Sequence, residues 1–261
     1  MIPAHPDRVL LWAAVAHLAV GAAALVALAI DSPPVLGVHP ALKPLKFGAS
    51  IAIFLATMAV FLPSLSVDPG IRRAIAWTLS LTMVVEMVPI SIQALRGTSS
   101  HFNTDGPFNT ALWQTMVAAI LVATLTMLGV ALAATLRPLV SAEGPPMDPI
   151  SATAWRAGLW LFLLAAISGF GMGGRLRHSV GGEDGGAGLP FVNWSLTHGD
   201  LRVSHFFALH ALQALPLVGA ALAWLPIGSA MRWALLTVAI VLQALVALAT
   251  LVQAFAARPV W

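Results

Sequence analysis

The chain has 261 residues, of which 59% are hydrophobic and 9% are charged, and its mean hydropathy is +0.90. A soluble domain has about 25% charged residues, and a chain this apolar would expose large hydrophobic patches if it folded in water. The composition excludes a soluble globular fold and predicts an all-α integral membrane protein in the lipid bilayer. The net charge of +3 is small, and the basic residues form no runs, so nothing indicates nucleic-acid binding.

Seven apolar stretches, each of roughly 20 residues or more, are long enough to cross a hydrocarbon core of about 30 Å. They cover residues 8–30, 45–62, 72–95, 109–137, 154–174, 203–225 and 231–257. Pro, Gly or charged residues separate them. The sequence therefore predicts one transmembrane bundle of seven spans. The first stretch exceeds the apolar core of a signal peptide, so we expect it to be a retained anchor.

Seven spans place the two ends of the chain on opposite sides of the membrane. The C-terminal face then carries the loops at 31–44, 96–108 and 175–202, and the N-terminal face carries shorter connections. Basic residues divide almost equally between the faces, but those on the C-terminal face lie within segments rich in His and Gly, which have the composition of a binding site. We therefore expect the N-terminus to be cytoplasmic and the C-terminus extracytoplasmic.

Polar residues within the spans are concentrated in the half of the membrane next to the C-terminal face. Because polar groups in hydrocarbon are costly unless they face the bundle or water, this distribution predicts a pocket that opens to that face. The candidate ligand-binding residues are Lys46, Gln93, Arg96, Asn103, Gln114, Trp194, Arg202 and Gln213. A lipid-soluble or other small molecule is the expected ligand.

Glu86 is the only acidic residue within any predicted span, and Gln93 lies on the same helical face. An intramembrane carboxyl group can exchange a proton or pair with a cation, which makes Glu86 a candidate catalytic or coupling residue. The alternative is a packing role, with the carboxyl hydrogen-bonded to Gln213 or to a backbone carbonyl. Pro89 and Pro216 each follow one of these polar residues by three positions, so each frees a backbone acceptor nearby.

The segment 193–205 contains two histidines and an aspartate immediately before the sixth span. Asp200 can cap the following helix and also orient a histidine, so it is the second candidate catalytic residue. The candidate metal ligands are His101, His198, His205 and His210, and His101 with His205 form a conceivable axial pair for haem. His205 and His210 are about 140° apart on a helix and cannot easily bind one ion together.

The loop at 175–188 is rich in Gly, contains two acidic residues and shows no periodicity, so we expect an exposed connector that can serve as a lid. The chain contains neither Cys nor Tyr, so a metal or haem would need His, carboxylate or Met ligands. Lys43 and Lys46 are the only lysines, and at the rim of the pocket they can attract an anion or a lipid headgroup.

Three functions fit these patterns. The first is a protein that binds a divalent metal or haem and acts as a membrane oxidoreductase. The second is a transporter or sensor in which Glu86 and Gln213 bind a small solute or exchange a proton. The third is a metal-assisted membrane hydrolase, with Glu86 or Asp200 as the base.

Overall fold

The computed structural model of the protein describes residues 6–141 and 144–260. Within these residues seven long helices form the fold: α1 (Arg8–Ala27), α2 (Leu42–Phe61), α3 (Pro69–Leu95), α4 (Gly106–Leu136), α5 (Pro149–Arg175), α6 (Leu201–Trp224) and α7 (Ser229–Phe255). A 3-10 turn at Leu62–Ser64 extends α2. Each helix is long and apolar enough to cross a membrane, which confirms the predicted seven-span all-α bundle.

Aspartate residues define where four of the helices begin. Asp7, Asp68, Asp148 and Asp200 each accept a hydrogen bond from a backbone N–H in the first turn of the helix that follows. The first helical N–H groups have no partner within the helix, so a carboxylate at this position satisfies one of them. Three of these caps lie on the N-terminal face, and Asp200 lies on the C-terminal face.

Close helix contacts occur at small residues. A Cβ atom added to Gly48 of α2 would lie 2.7 Å from the Cα atom of Gly21 in α1, and one added to Gly158 of α5 would lie 2.8 Å from the carbonyl oxygen of Ala211 in α6. Small residues let helices pack closely in lipid, where the hydrophobic effect between helices is absent. These two contacts explain the tight pairing of α1 with α2 and of α5 with α6.

The packed apolar core lies in the half of the bundle next to the N-terminal face. It includes the fully buried side chains of Leu55, Met58 and Phe61, and the Phe61 ring packs 4.6 Å from the Trp155 ring. α7 has few buried residues and lies at the edge of the bundle. The opposite half of the bundle contains smaller apolar clusters, such as Met87, Ile90 and Met116, together with the buried polar residues Glu86 and Gln93.

The connection between α5 and α6 contains a short strand pair, which the exposed connector expected from its composition does not include. Strands β1 (Ser179–Val180) and β2 (Gly199–Asp200) pair in an antiparallel arrangement. The Asp184 carboxylate accepts hydrogen bonds from the backbone N–H groups of His178 and Ser179 and closes the turn after β1. Sequence periodicity cannot detect a two-residue strand pair of this kind.

Glycines let this connection pack against its neighbours. Gly199 packs directly on the backbone of Ala254 at the end of α7, and a Cβ atom added to Gly37 in the α1–α2 loop would lie 3.0 Å from the carbonyl oxygen of Gly185. Three segments of the C-terminal face are therefore joined into one cap over the helix ends.

Candidate functional site

Charged and histidine side chains from four elements near this cap lie within electrostatic range of one another. Lys43 in the first turn of α2 interacts electrostatically with Glu86 of α3 and with Lys46. His101, in the loop between α3 and α4, interacts electrostatically with Lys43 and with His205 of α6. We call Lys43, Lys46, Glu86, His101 and His205 the polar cluster.

Glu86 is the acidic member of the cluster and is 6% exposed. Its Oε1 atom is buried and has no hydrogen-bond partner among the described residues. A buried oxygen without a partner typically costs about 1–3 kcal/mol, and the cost is higher for a charged group. Among the described residues, no hydrogen bond joins Glu86 to Gln213, and Gln213 Nε2 donates to Thr57 Oγ1 at 3.2 Å.

The two lysines occupy different environments although they are three residues apart on α2. Lys46 Nζ donates to the backbone carbonyls of Phe191 at 3.2 Å and Val192 at 3.4 Å, which links α2 to the α5–α6 connection. Lys43 Nζ lies 5.9 Å from the centre of the Phe47 ring. Lys43 is thus not engaged by the carbonyls that bind Lys46, and it lies within electrostatic range of Glu86 and His101.

His101 lies among aromatic rings. The ring centres of Phe47, Trp113 and Phe102 are 5.4, 5.7 and 5.9 Å from that of His101, and Ser100 Oγ lies 3.1 Å from His101 Nδ1. Burial and the nearby Lys43 charge hold the pKa of the imidazole well below its ordinary value. His101 is therefore neutral at physiological pH.

His205 contacts the backbone of α5. Its Nδ1 atom lies 3.0 Å from the carbonyl oxygen of Ala165 and 3.2 Å from Ser168 Oγ. A carbonyl oxygen only accepts, so Nδ1 carries the hydrogen and Nε2 is left as an acceptor. Gly169 permits this approach, because a Cβ atom there would lie 3.3 Å from the His205 ring.

Asp200 is occupied by structural contacts. As well as capping α6, its carboxylate accepts from Ser195 N at 2.9 Å and binds the Arg202 guanidinium through Nε at 2.9 Å and Nη2 at 2.6 Å. Burial raises the pKa of Asp200, but the hydrogen bond and charge of Arg202 outweigh it, so the pKa lies below its ordinary value. Arg202 also donates to the carbonyl oxygen of Asn193.

Two other residues of the 193–205 segment stabilise the cap. The His198 ring packs directly on Gly182, and its Nδ1 atom lies 2.8 Å from Thr197 Oγ1. Trp194 packs on Phe206 with ring centres 5.3 Å apart. These two residues therefore lie in the cap and its contacts with α6.

Three of the predicted ligand-binding residues form contacts between α3, α4 and their loop. Arg96 donates to Gln93 Oε1 and to Asn109 Oδ1, both at 2.7 Å, and Gln93 Nε2 donates to the same Asn109 oxygen at 3.0 Å. Asn103 donates to Thr98 Oγ1 and to the carbonyl oxygen of Ser99. These bonds fix the position of the loop that carries His101.

The remaining predicted site residues lie apart from one another. Gln114 is exposed on the surface of α4. His210 Nδ1 lies 2.8 Å from the carbonyl oxygen of Phe206 on its own helix, and its ring packs on the Phe206 ring. Within the parts of the chain that the structure describes, no three His, Asp or Glu side chains come together as a metal site.

Lys43 was treated as a rim residue by sequence reasoning and was absent from the list of site candidates. The signal that marks it is compositional, since Lys43 and Lys46 are the only lysines in a chain with eleven arginines.

No protein-family model, curated protein or solved structure matches the chain.

Proposed function

We propose that this integral membrane protein binds a small polar solute at the polar cluster and exchanges a proton with it, as a transporter or sensor. The observation that carries the proposal is the buried Glu86 carboxyl, whose Oε1 atom has no partner among the described residues while the Lys43 ammonium lies within electrostatic range. A ligand that donates a hydrogen bond to this oxygen recovers the energy that the carboxyl loses on burial.

The chemistry of the cluster supports proton exchange. Glu86 and Lys43 are an acid and a base within electrostatic range of each other, and groups with little exposure to water respond strongly to a neighbouring charge. When a solute binds and changes the charge next to Glu86 and Lys43, a proton moves between the solute and one of these two groups. Pro89 and Pro216 lie inside α3 and α6, three residues beyond Glu86 and Gln213, and supply positions at which these helices can bend.

The test is ligand-induced thermal stabilisation of the purified protein in mild detergent. Small carboxylates, phosphates, sugars and amines are compared at mildly acidic and mildly alkaline pH. Wild-type protein should be stabilised by one class, and Glu86→Gln and Lys43→Met should each weaken that binding about 10- to 100-fold, because each removes one charge-assisted contact.

Gln114→Leu is the matched control, since Gln114 lies in the same half of the membrane on an exposed helix surface. It should bind as wild type does. Stabilisation that persists unchanged in both Glu86→Gln and Lys43→Met would contradict the proposal.

A second candidate is haem binding by His101 and His205, with an associated oxidoreductase activity. Each imidazole engages a protein oxygen through Nδ1, and the opposite ring nitrogen is the one that binds a metal in such an arrangement. A Soret band in the purified protein that is lost in His101→Ala and His205→Ala supports this candidate. A colourless, metal-free preparation contradicts it.

The metal-assisted hydrolase has less support. Asp200, one of its two candidate bases, is engaged by Arg202 and by two backbone N–H groups. Its other candidate base, Glu86, has no nearby set of three metal-ligating side chains among the described residues.

We further propose that the polar cluster opens to the extracytoplasmic side, with the N-terminus in the cytoplasm. The chain has no Cys, so single cysteines can test this directly. Leu95, 90% exposed, lies on the C-terminal face, and Leu136, 79% exposed, lies on the N-terminal face. A membrane-impermeant maleimide should label Leu95→Cys in intact cells and Leu136→Cys only after lysis. The reverse pattern would invert the orientation.

A further inference from the structure

The α5–α6 connection contains a closed turn beside the polar cluster, spanning residues 189–194. Asn193 N donates to the carbonyl oxygen of Leu189 at 2.7 Å, and Leu189 N donates to that of Trp194 at 2.9 Å. Phe191 and Asn193 have left-handed backbone conformations, with φ of 66° and 56°. Asn tolerates this region, but it is unfavourable for Phe, so contacts outside the turn must hold Phe191 there.

Those contacts come from two cations. Three consecutive carbonyls of the turn face side chains of the helix ends: Lys46 binds those of Phe191 and Val192, and Arg202 binds that of Asn193. Arg202 is already neutralised by Asp200, whereas both described acceptors of Lys46 are neutral carbonyls. Lys46 is therefore the contact that a charged competitor can most readily displace.

The charges around Lys43 and Lys46 indicate which kind of ligand can displace Lys46 from the two carbonyls. Lys43 and Lys46 lie one helical turn apart. Glu86 and Asp184 interact electrostatically with Lys43, and Asp200 with Lys46, but none of these carboxylates forms an ion pair with either lysine among the described residues. A carboxylate or phosphate group is the chemistry that pairs with two adjacent ammonium groups.

We infer that the solute of the polar cluster is an anion and that it draws Lys46 away from the Phe191 and Val192 carbonyls, which releases the 189–194 turn. This inference rests on the proposed function. Without the anion, Lys46 holds the turn closed. When the anion binds between Lys43 and Lys46, the turn loses the Lys46 contacts and opens around Phe191 and Val192, while Arg202 keeps its contact with Asn193. Occupancy of the site is thereby reported on the C-terminal face.

The experiment measures the position of the turn by double electron–electron resonance between spin labels at Phe191→Cys and Leu95→Cys. Both side chains are exposed, at 61% and 90%, and the chain has no other cysteine. The labelled protein should give one narrow distance distribution without ligand. Lys46→Met should broaden and lengthen that distribution, and Lys46→Gln provides a second variant that retains polarity.

Inorganic phosphate and glycolate are the anion probes, because each carries a hydroxyl that can donate to Glu86 Oε1 as well as an anionic group for the lysines, and glycerol is the neutral control. Either anion should broaden the distance distribution of the labelled protein that retains Lys46, and should leave Lys46→Met unchanged. An unaltered distribution in both Lys46 variants would overturn the release of the turn, even if a solute binds. If the turn opens in those variants but responds to neither anion, the ligand is not an anion. The proposed function is then tested separately by the binding measurements on Glu86→Gln and Lys43→Met.

Discussion

Replacement of Asp200 tests whether the buried ion pair with Arg202 holds the cap on the helix ends. The Asp200 side chain is 1% exposed and that of Arg202 is 25% exposed, so solvent screens their interaction weakly. Asp200→Asn keeps a capping oxygen but removes the charge that neutralises Arg202. Breaking a fully buried pair costs about 3–5 kcal/mol, and partial exposure of Arg202 brings the expected loss of unfolding free energy to about 2–3 kcal/mol.

Asp200→Ala should cost about 1 kcal/mol more, because it also removes the cap of α6. Arg202→Met in the Asp200→Asn background should recover most of the loss, since the uncompensated cation is then gone. Equilibrium unfolding in mixed detergent micelles with increasing SDS measures wild type, Asp200→Asn, Asp200→Ala, Arg202→Met and the double variant. A loss below about 0.5 kcal/mol in Asp200→Asn, or strictly additive effects of Asp200→Asn and Arg202→Met in the double variant, would show that the ion pair does not hold the cap.

The contribution of Asp200 to the free energy of unfolding should depend on pH. The pKa of Asp200 is lower in the folded protein, so its contribution to stability is present at neutral pH and is lost as the pH falls through the folded pKa, below the ordinary value of about 3.9. The difference in unfolding free energy between wild type and Asp200→Asn should therefore be constant near neutrality and shrink in acid.

Two further predictions concern packing and protonation. Gly48→Ala should destabilise the bundle by about 1–3 kcal/mol in the same unfolding assay, because its Cβ atom would lie 2.7 Å from the Gly21 Cα atom, whereas Gly129→Ala, which meets no atom within 4 Å, should be neutral or stabilising. A destabilisation of Gly129→Ala equal to that of Gly48→Ala would count against the helix contact. In nitrogen NMR spectra, the His101 imidazole should stay neutral as the pH passes below about 6.5, and titration near that value would contradict its burial beside Lys43.

The seven spans were predictable because hydrocarbon permits few alternatives to an apolar helix of sufficient length. The position of each polar group along its helix could be predicted from the rise per residue. The direction in which each helix turns its polar side chains could not. Gln114 lies on an exposed surface of α4, and Gln213 contacts Thr57 of α2 instead of Glu86.

The residue at which α2 begins was also not predictable from the apolar pattern. The apolar run of the second span begins near residue 45, but α2 begins at Leu42, which places Lys43 and Lys46 within one helix at a spacing of three residues. The contact of Lys46 with the Phe191 and Val192 carbonyls joins segments 145 residues apart, and no local pattern encodes such a contact. In contrast, the capping role of Asp200 depends on adjacent residues, and the structure confirms it.

Proton exchange at Glu86 is best measured through the linkage between ligand binding and proton uptake or release. The binding enthalpy of a stabilising solute is measured by calorimetry in buffers that differ in ionisation enthalpy, for wild type, Glu86→Gln and the Gln114→Leu control. We predict that wild type and Gln114→Leu show the same net proton exchange on binding and that Glu86→Gln shows none. Equal proton exchange in all three proteins, or none in wild type, would contradict a proton-exchanging site at Glu86.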